Sequence, residues 1–305
     1  MKIAGVSLTY NDGYKLNEWY DNYLGYKDQL EYFIIVDNNS AVDYKNNLKN
    51  TFSDYAIIIE RSSNGGCTGA YNDGINYALK NTDADAILII SNDFKLTANC
   101  LTEMYNFLYS RADLGMVSSA VLYKDSEIID NYGHSLHNMA VTCCEEGKNI
   151  HEITEKSKFT ELLTGGFTMA KREFYENVGL QDNNLFMYCD ELDTSYKAKK
   201  SGYKLGVIAN EYAWHQHINP PAKGRRSSAS RYLICRNRIY MAKKYESFPV
   251  VTYQIFRGII RMPLTYIYRF IKYHKLVELN DAWYSFIGGI HGVLGYMKSN
   301  KYMVF

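Results

Sequence analysis

From residue 3 to residue 93 the chain alternates short apolar runs with longer segments of helical period. "KIAGVSLTY", "EYFIIVDNNS", "YAIIIERSSNGG" and "ADAILIISND" each hold an apolar run that ends in turn-forming residues, which predicts buried strands. Between them, "GYKLNEWYDNYLGY" spaces Leu16, Trp19, Tyr20 and Tyr23 as one helical face. "TGAYNDGINYALKN" does the same with Tyr71, Ile75, Ala78 and Leu79. Strands alternating with helices predict an α/β fold with a Rossmann-like, mostly parallel sheet flanked by helices. Ligands of such sheets bind beyond the carboxyl ends of the strands. "VDNNS", "SNGG" and "SND" all lie at such ends, and that shared location is the first functional signal.

The pattern loosens between about 117 and 160, where "SSAVLYKDSEIIDNYGHSLHNMAVTC" predicts short strands and turns suited to acceptor binding. "FTELLTGGFTMAKREFYENVG" reads as a strand or loop, a Gly-Gly turn and a helix. A helix rich in acids at its start follows, then a strand "KLGVIANEYAWHQH", a polar loop, and helix from about residue 230 to the end.

Composition narrows the classes. A chain of 305 residues with 47% hydrophobic and 22% charged residues can build a core, and a net charge of +1 gives no support for nucleic-acid binding. Six cysteines without a CxxC pair suggest reduced thiols in the cytoplasm. The N-terminus reads as a strand, not as the apolar core of a signal peptide, and no uncharged apolar run reaches the ~18 residues of a membrane span.

Several sites carry candidate chemistry. Asp37 follows an apolar strand and can accept bonds from a nucleoside, although Asp-Asn-Asn-Ser is also an ordinary turn. Gly65, Gly66 and Gly69 precede a helix, where backbone can approach a diphosphate. In "SND", Asn92 and Asp93 end a strand; a carboxylate there can hold a divalent metal, or cap a following helix. His215 and His217 share one face of a strand, and either can join Asp93 as a ligand or serve as a polar rim residue. Arg225 and Arg226, in the loop "PPAKGRRSS", can pair with diphosphate oxygens. Asp190 and Asp193 suit the first turn of a helix, but Glu191 is poorly explained by capping and suits a general base.

Taken in order, "LTYND", "VDNNS", "SNGGCTGAYNDG", "LIISND", "LLTGGFTMAKREFYENVGLQDNNLFMYCDELDTSYKAKKSGYKLG", "WHQH" and "RYLICRNRIY" resemble the inverting glycosyltransferases of family 2, over about residues 3 to 245. Within that family they are most similar to the rhamnosyltransferase-like and galactofuranosyltransferase-like members. The resemblance implies a GT-A catalytic domain over 1–245, a divalent metal (Mg²⁺ or Mn²⁺), and a nucleotide-sugar donor of the dTDP-rhamnose or UDP-hexose type. It also implies a glycan or lipid-linked acceptor in cell-surface polysaccharide synthesis. Thr9, Tyr10, Asn11 and Asp37 would face the nucleoside, and Asn64, Gly65 and Gly69 fall in the donor turn. Asp93 falls on the last acid of the DxD element, His215 on the histidine that completes the metal site, and Gly165 and Gly166 in the acceptor turn. Glu191 falls on the catalytic acid, with Asp190 beside it as a competitor. Two positions depart from the pattern: Ser91 replaces the first DxD acid, and Glu191 replaces an Asp. A nucleotidyltransferase, or a nucleotide-sugar-binding protein without turnover, is the rival expectation.

Residues 246–305 predict a helical extension. On an unbroken helix Arg257, Arg261, Arg269, Lys272 and Lys275 share one arc, opposite Phe256, Ile259, Ile260, Ile267, Phe270 and Ile271, with Pro263 expected to kink or restart it. The partner expected for this segment is the inner face of an anionic membrane, or else the catalytic domain or a second subunit.

Overall fold

The computed structural model describes residues 1–163, 165–216, 227–298 and 301–303. In chain order the strands are β1 (Ile3–Thr9), β2 (Tyr32–Asp37), β3 (Ile57–Glu60), β4 (Ala86–Ile90), β5 (Phe94–Leu96), β6 (Leu114–Tyr123), β7 (Ile129–Asn131), β8 (His134–His137), β9 (Ala140–Cys143), β10 (Ser157–Thr160), β11 (Phe167–Lys171) and β12 (Lys204–His215). The helices are α1 (Leu16–Leu24), α2 (Val42–Phe52), α3 (Gly66–Asn81), α4 (Cys100–Tyr109), α5 (Arg172–Val178), α6 (Asp190–Lys200), α7 (Ser228–Tyr245), α8 (Phe248–Phe256), α9 (Met262–Tyr273) and α10 (Leu276–Leu294). The chain divides into two compact units. One holds residues 1–136, 141–183 and 194–223; the other holds 137–140, 184–193 and 224–305.

The first unit is the α/β body. Its main sheet runs β10-β12-β6-β11-β4-β1-β2-β3. The half built from β4, β1, β2 and β3 is parallel, as their alternation with helices requires. β11 enters antiparallel between β4 and β6, and β6 pairs in parallel with β12. Because successive side chains point to opposite faces, each strand feeds two cores. Ala4, Val6, Ile34 and Val36 pack under Ala70, Ile75 and Ala78 of α3; Ile3, Phe33 and Ile35 pack under Trp19 and Tyr23 of α1 and Leu48 and Phe52 of α2. Gly74 lets α3 approach this closely, since a Cβ there would stand 2.3 Å from Val6 Cγ1.

The second unit is helical. α7, expected from the sequence to belong to the catalytic domain, clusters with α8, α9 and α10. α8 and α9 form one continuous helix joined by a π-helical turn at Arg257–Arg261. Pro263 follows that turn, and the helix runs on through it rather than restarting. No described helix is long and apolar enough to cross a membrane.

Candidate active site

In the first unit the carboxyl ends of the parallel strands collect most of the sequence-derived candidates. Thr9 pairs in register with Asp37, and both are fully buried. The Thr9 hydroxyl hydrogen-bonds the Tyr44 hydroxyl, whose pKa is pushed up to about 12, mainly by burial. Both Asp37 carboxylate oxygens accept the Ser40 N–H (3.3 and 3.1 Å), and Lys45 Nζ stands 3.7 Å from one of them. Asn11 occupies a left-handed conformation (φ +53°) and ties the two loops: its side chain accepts the Ala41 N–H, and its own N–H donates to Ser40 Oγ, both at 2.9 Å. Tyr10 between them is exposed.

Asn38, which the sequence reading passed over inside "VDNNS", organises the turn before α3. Its amide donates to Asn64 Oδ1 (2.9 Å) and the Gly66 carbonyl (3.1 Å), and its Oδ1 accepts the Gly65 N–H (3.0 Å). Gly66 has φ +71°, which only glycine adopts without strain, so it is the conformational glycine of the turn. At Gly65 and Gly69 the space a Cβ would take is filled by the Arg61 side chain. A Cβ on either would collide with the Arg61 guanidinium, at 2.6 and 2.5 Å. Arg61, which pairs with Asp73 at 3.2 Å, therefore lies across the start of α3, where backbone donors and the helix dipole favour anions. Its place at the end of an apolar strand was the signal that could have revealed it.

Asp93 and His215 come together. The three-residue strand β5, which the sequence did not reveal, runs antiparallel to the end of β12 and sets Phe94 opposite His215. The two rings stack at 4.9 Å, and Asp93 Oδ2 and His215 Nε2 stand 3.3 Å apart. Lys15 Nζ lies 3.9 Å from the same carboxylate, and Asn92 donates to Asp12 at 3.0 Å. Burial alone would raise the Asp93 carboxyl; the hydrogen bond and charge of His215, with Lys15 and Ser91, outweigh it and hold the pKa at about 2. The carboxylate is thus ionised throughout the physiological range.

This pair fits a divalent metal. Neighbouring donors around a six-coordinate cation with bonds of ~2.1–2.2 Å stand roughly 3 Å apart, close to the separation seen here. No cluster of three or more His, Cys, Asp or Glu side chains suited to a metal occurs among the described residues. Asp93 and His215 would hold such a cation and leave positions for a diphosphate and water, as is usual for Mg²⁺. His217, Arg225 and Arg226 lie outside the described residues. Gly166, at φ +88°, accepts the Ser91 N–H at 2.7 Å, so the turn of Gly165 and Gly166 is fastened to the end of β4.

Asp190 and Glu191 belong to the second unit, at the start of α6. Asp193, expected to cap the helix, is instead fully buried and accepts Lys244 Nζ (2.9 Å) and the Tyr245 hydroxyl (2.7 Å). Asp190 and Glu191 are half-buried. Burial raises the Asp190 carboxyl above its ordinary range, and its hydrogen bond with Glu191 acts the other way.

The segment leading into them is strained: Phe186, Tyr188 and Cys189 have φ of +65°, +69° and +67°. Arg236 and Asn237 of α7, both fully buried, hold it there. Asn237 Nδ2 donates to the carbonyls of Leu185, Met187 and Tyr188, each at 2.9 Å, and Arg236 to those of Asn184 (3.1 Å) and Leu185 (3.0 Å). A buried Arg-Asn pair without an acid nearby in sequence was the missed signal. Asn237→Ala is expected to destabilise the protein by about 2–4 kcal/mol in urea unfolding, because buried carbonyls lose their donors. Asn237→Ala melting like the wild type would show that the strained segment does not depend on α7.

The body defines a GT-A-type fold, shared with several solved structures. GalNAc-T7 with UDP, GalNAc and Mn²⁺ aligns with a TM-score of 0.61 and 13% identity, over 80% of this chain and 48% of that one. The mannosyltransferase PcManGT of Pyrobaculum calidifontis, in complex with GDP-Man and Mn²⁺, aligns with a TM-score of 0.54 and 14% identity over 96% of this chain and 87% of that one. S. aureus TarS gives 0.52 and 12% over 96% and 81%. The profile of Glycosyl transferase family 2 matches residues 7–179, more than half of the chain, and the protein belongs to that family. The low-salt glycan biosynthesis hexosyltransferase Agl10 of Haloferax volcanii is 23% identical over 212 residues, 68% of this chain. The chain spans 65% of that relative's length and about half of the GalNAc-T7 chain.

Proposed function

We propose that the protein is a metal-dependent inverting glycosyltransferase, moving a sugar from a nucleotide-sugar donor to a hydroxyl of a glycan or lipid-linked acceptor. The observation that carries this reading is the Asp93–His215 pair at the carboxyl end of the parallel sheet, in a chain of family 2. Asp93 and His215 would hold Mg²⁺ or Mn²⁺, whose charge would offset that developing on a nucleoside diphosphate leaving group. Arg61 and the N–H groups at the start of α3 bind diphosphate oxygens, and Thr9, Tyr10, Asn11 and Asp37 shape the nucleoside end. Glu191, with Asp190 as its partner, takes the proton from the acceptor hydroxyl, whose oxygen then attacks the anomeric carbon opposite the leaving group. The resemblance favours a dTDP-rhamnose or UDP-hexose donor.

An anionic acceptor is supported by Arg238 and Arg257, which both bear on the thiol of Cys189, the residue before Asp190. Arg238 donates to Gln254 Oε1 at 3.2 Å, and its pKa is lowered by burial and then by the like charge of Arg257. Two guanidinium groups near enough to feel one another's charge suit a phosphate of a lipid-linked acceptor.

A panel of nucleotide sugars with Mn²⁺, followed for nucleoside diphosphate release and product anomeric configuration, tests the assignment. Release with inversion is the expected result; retained configuration would exclude the base mechanism. Ser91, in place of an acid, favours a second reading, a nucleotide-sugar-binding protein without turnover. Thermal stabilisation by a donor with no diphosphate release under any metal would select it. The raised carboxyl of Asp190 also sets a pH dependence. Ionisation of Asp190, displaced above the ordinary aspartate value of ~3.9, changes the charge beside Glu191, so the acid limb of kcat/KM should move in Asp190→Asn.

A further inference from the structure

The helix formed by α8, the π turn and α9 presents the wrong face to solvent. Its packed side carries Val250, Gln254, Gly258, Pro263 and Tyr266. Its outer side carries Phe256 (48% exposed), Ile260 (46%), Leu264 (58%), Ile267 (38%) and Ile271 (62%), at helical spacing. A soluble helix buries such a stripe, and an exposed one of this extent marks an interaction surface. The sequence reading placed five cations together opposite the apolar residues, and the structure divides them. Arg257 is half-buried, and Arg269 pairs with Glu278 at 3.3 Å, while Arg261, Lys272 and Lys275 remain exposed beside the stripe. Ile259 and Phe270 are half-buried and leave the stripe.

Charge decides what covers this face. Residues 247–277 contain five Lys and Arg and no Asp or Glu. A second copy of the chain, docked symmetrically, would bring the same cations against each other with no carboxylate to receive them. An anionic lipid surface supplies the opposite charge and an apolar layer at once. Tyr253, Tyr268 and Tyr273, all exposed along the same helix, add amphipathic rings of the kind that settle at the headgroup level. At the far end Tyr268, Arg269, Tyr273, Lys275 and Glu278 line a cleft of about 370 Å³, room for a headgroup phosphate beside Lys275. We infer that the α8–α9 helix docks in the plane of an anionic bilayer, with Phe256, Ile260, Leu264, Ile267 and Ile271 inserted and Arg261, Lys272 and Lys275 on lipid phosphates. This surface is independent of the sugar-transfer reading, and its test measures no turnover.

Full-length protein is sedimented with vesicles of phosphatidylcholine alone, or with about one-third phosphatidylglycerol. Binding to the anionic vesicles, weakened by salt, is expected. The triple variant Arg261→Gln, Lys272→Gln, Lys275→Gln should bind about 100-fold more weakly, from roughly fivefold per charge. Ile260→Gln with Leu264→Gln and Ile267→Gln should abolish binding while circular dichroism and melting stay unchanged, since all three side chains face solvent. Negligible binding to both vesicle types overturns the inference, as does wild-type binding by either triple variant. A dimer in light scattering that the apolar variant splits assigns the face to a second copy, and also overturns it.

Discussion

Glu191→Gln is expected to lower turnover by roughly 10²–10⁴, the usual contribution of a positioned general base, while leaving donor-induced thermal stabilisation in place. The change keeps the size of the side chain and removes only its ability to take a proton. Asp190→Asn is expected to have the smaller effect. Asp190 is a carboxyl raised by burial and hydrogen-bonded with Glu191, so its replacement perturbs the proton affinity of the base rather than removing it. The substitutions do not threaten the helix itself. The carboxylate that anchors α6 is Asp193, buried against Lys244 and Tyr245, and it is left intact. Steady-state rates of nucleoside diphosphate release, with melting curves as a control, read the result. Near-normal turnover in Glu191→Gln together with collapse in Asp190→Asn would move the base by one residue.

Asp93→Asn should lower turnover by about 10²–10³ and remove the stabilisation that Mn²⁺ confers in the presence of a nucleoside diphosphate. The neutral amide keeps the shape and one oxygen but loses the charge that His215 and Lys15 now face. His215→Ala should instead raise the Mn²⁺ concentration needed, because one ligand is lost and the carboxylate remains. Lys15 provides the competing explanation, since an ammonium 3.9 Å from Asp93 can itself face a diphosphate. Excess chelator separates the two. Activity that survives chelation but not Lys15→Ala would mean that the lysine, and not a metal, neutralises the leaving group.

Much of the body was legible in the amino-acid order. The apolar strands and amphipathic helices up to residue 90 are local signals: period 2 or a buried run for strands, period 3.6 for helices, with turn residues between them. The carboxyl-end position of Asp37, Asn64 and Asp93 follows from parallel connection, which the alternation itself implies. What the tertiary structure alone decided is of another kind. β5 is three residues long, too short to show a period, yet its pairing with β12 brings Asp93 to His215 across 122 positions of sequence. Asp193 looked like a cap, because an acid in a first helical turn is stabilised by local backbone; its actual partners lie 51 and 52 residues away on α7. The Arg61 guanidinium occupies the space that the glycines at the start of α3 leave open, and Asn237 holds the carbonyls of Leu185, Met187 and Tyr188 from about fifty residues downstream. The outward apolar face of α8–α9 was equally hidden, since a helical period shows that a stripe exists but not which side of the helix the fold covers. Local periodicity is written in neighbouring residues; partners of buried polar groups and the choice of buried face depend on long-range packing, which neighbouring residues do not encode.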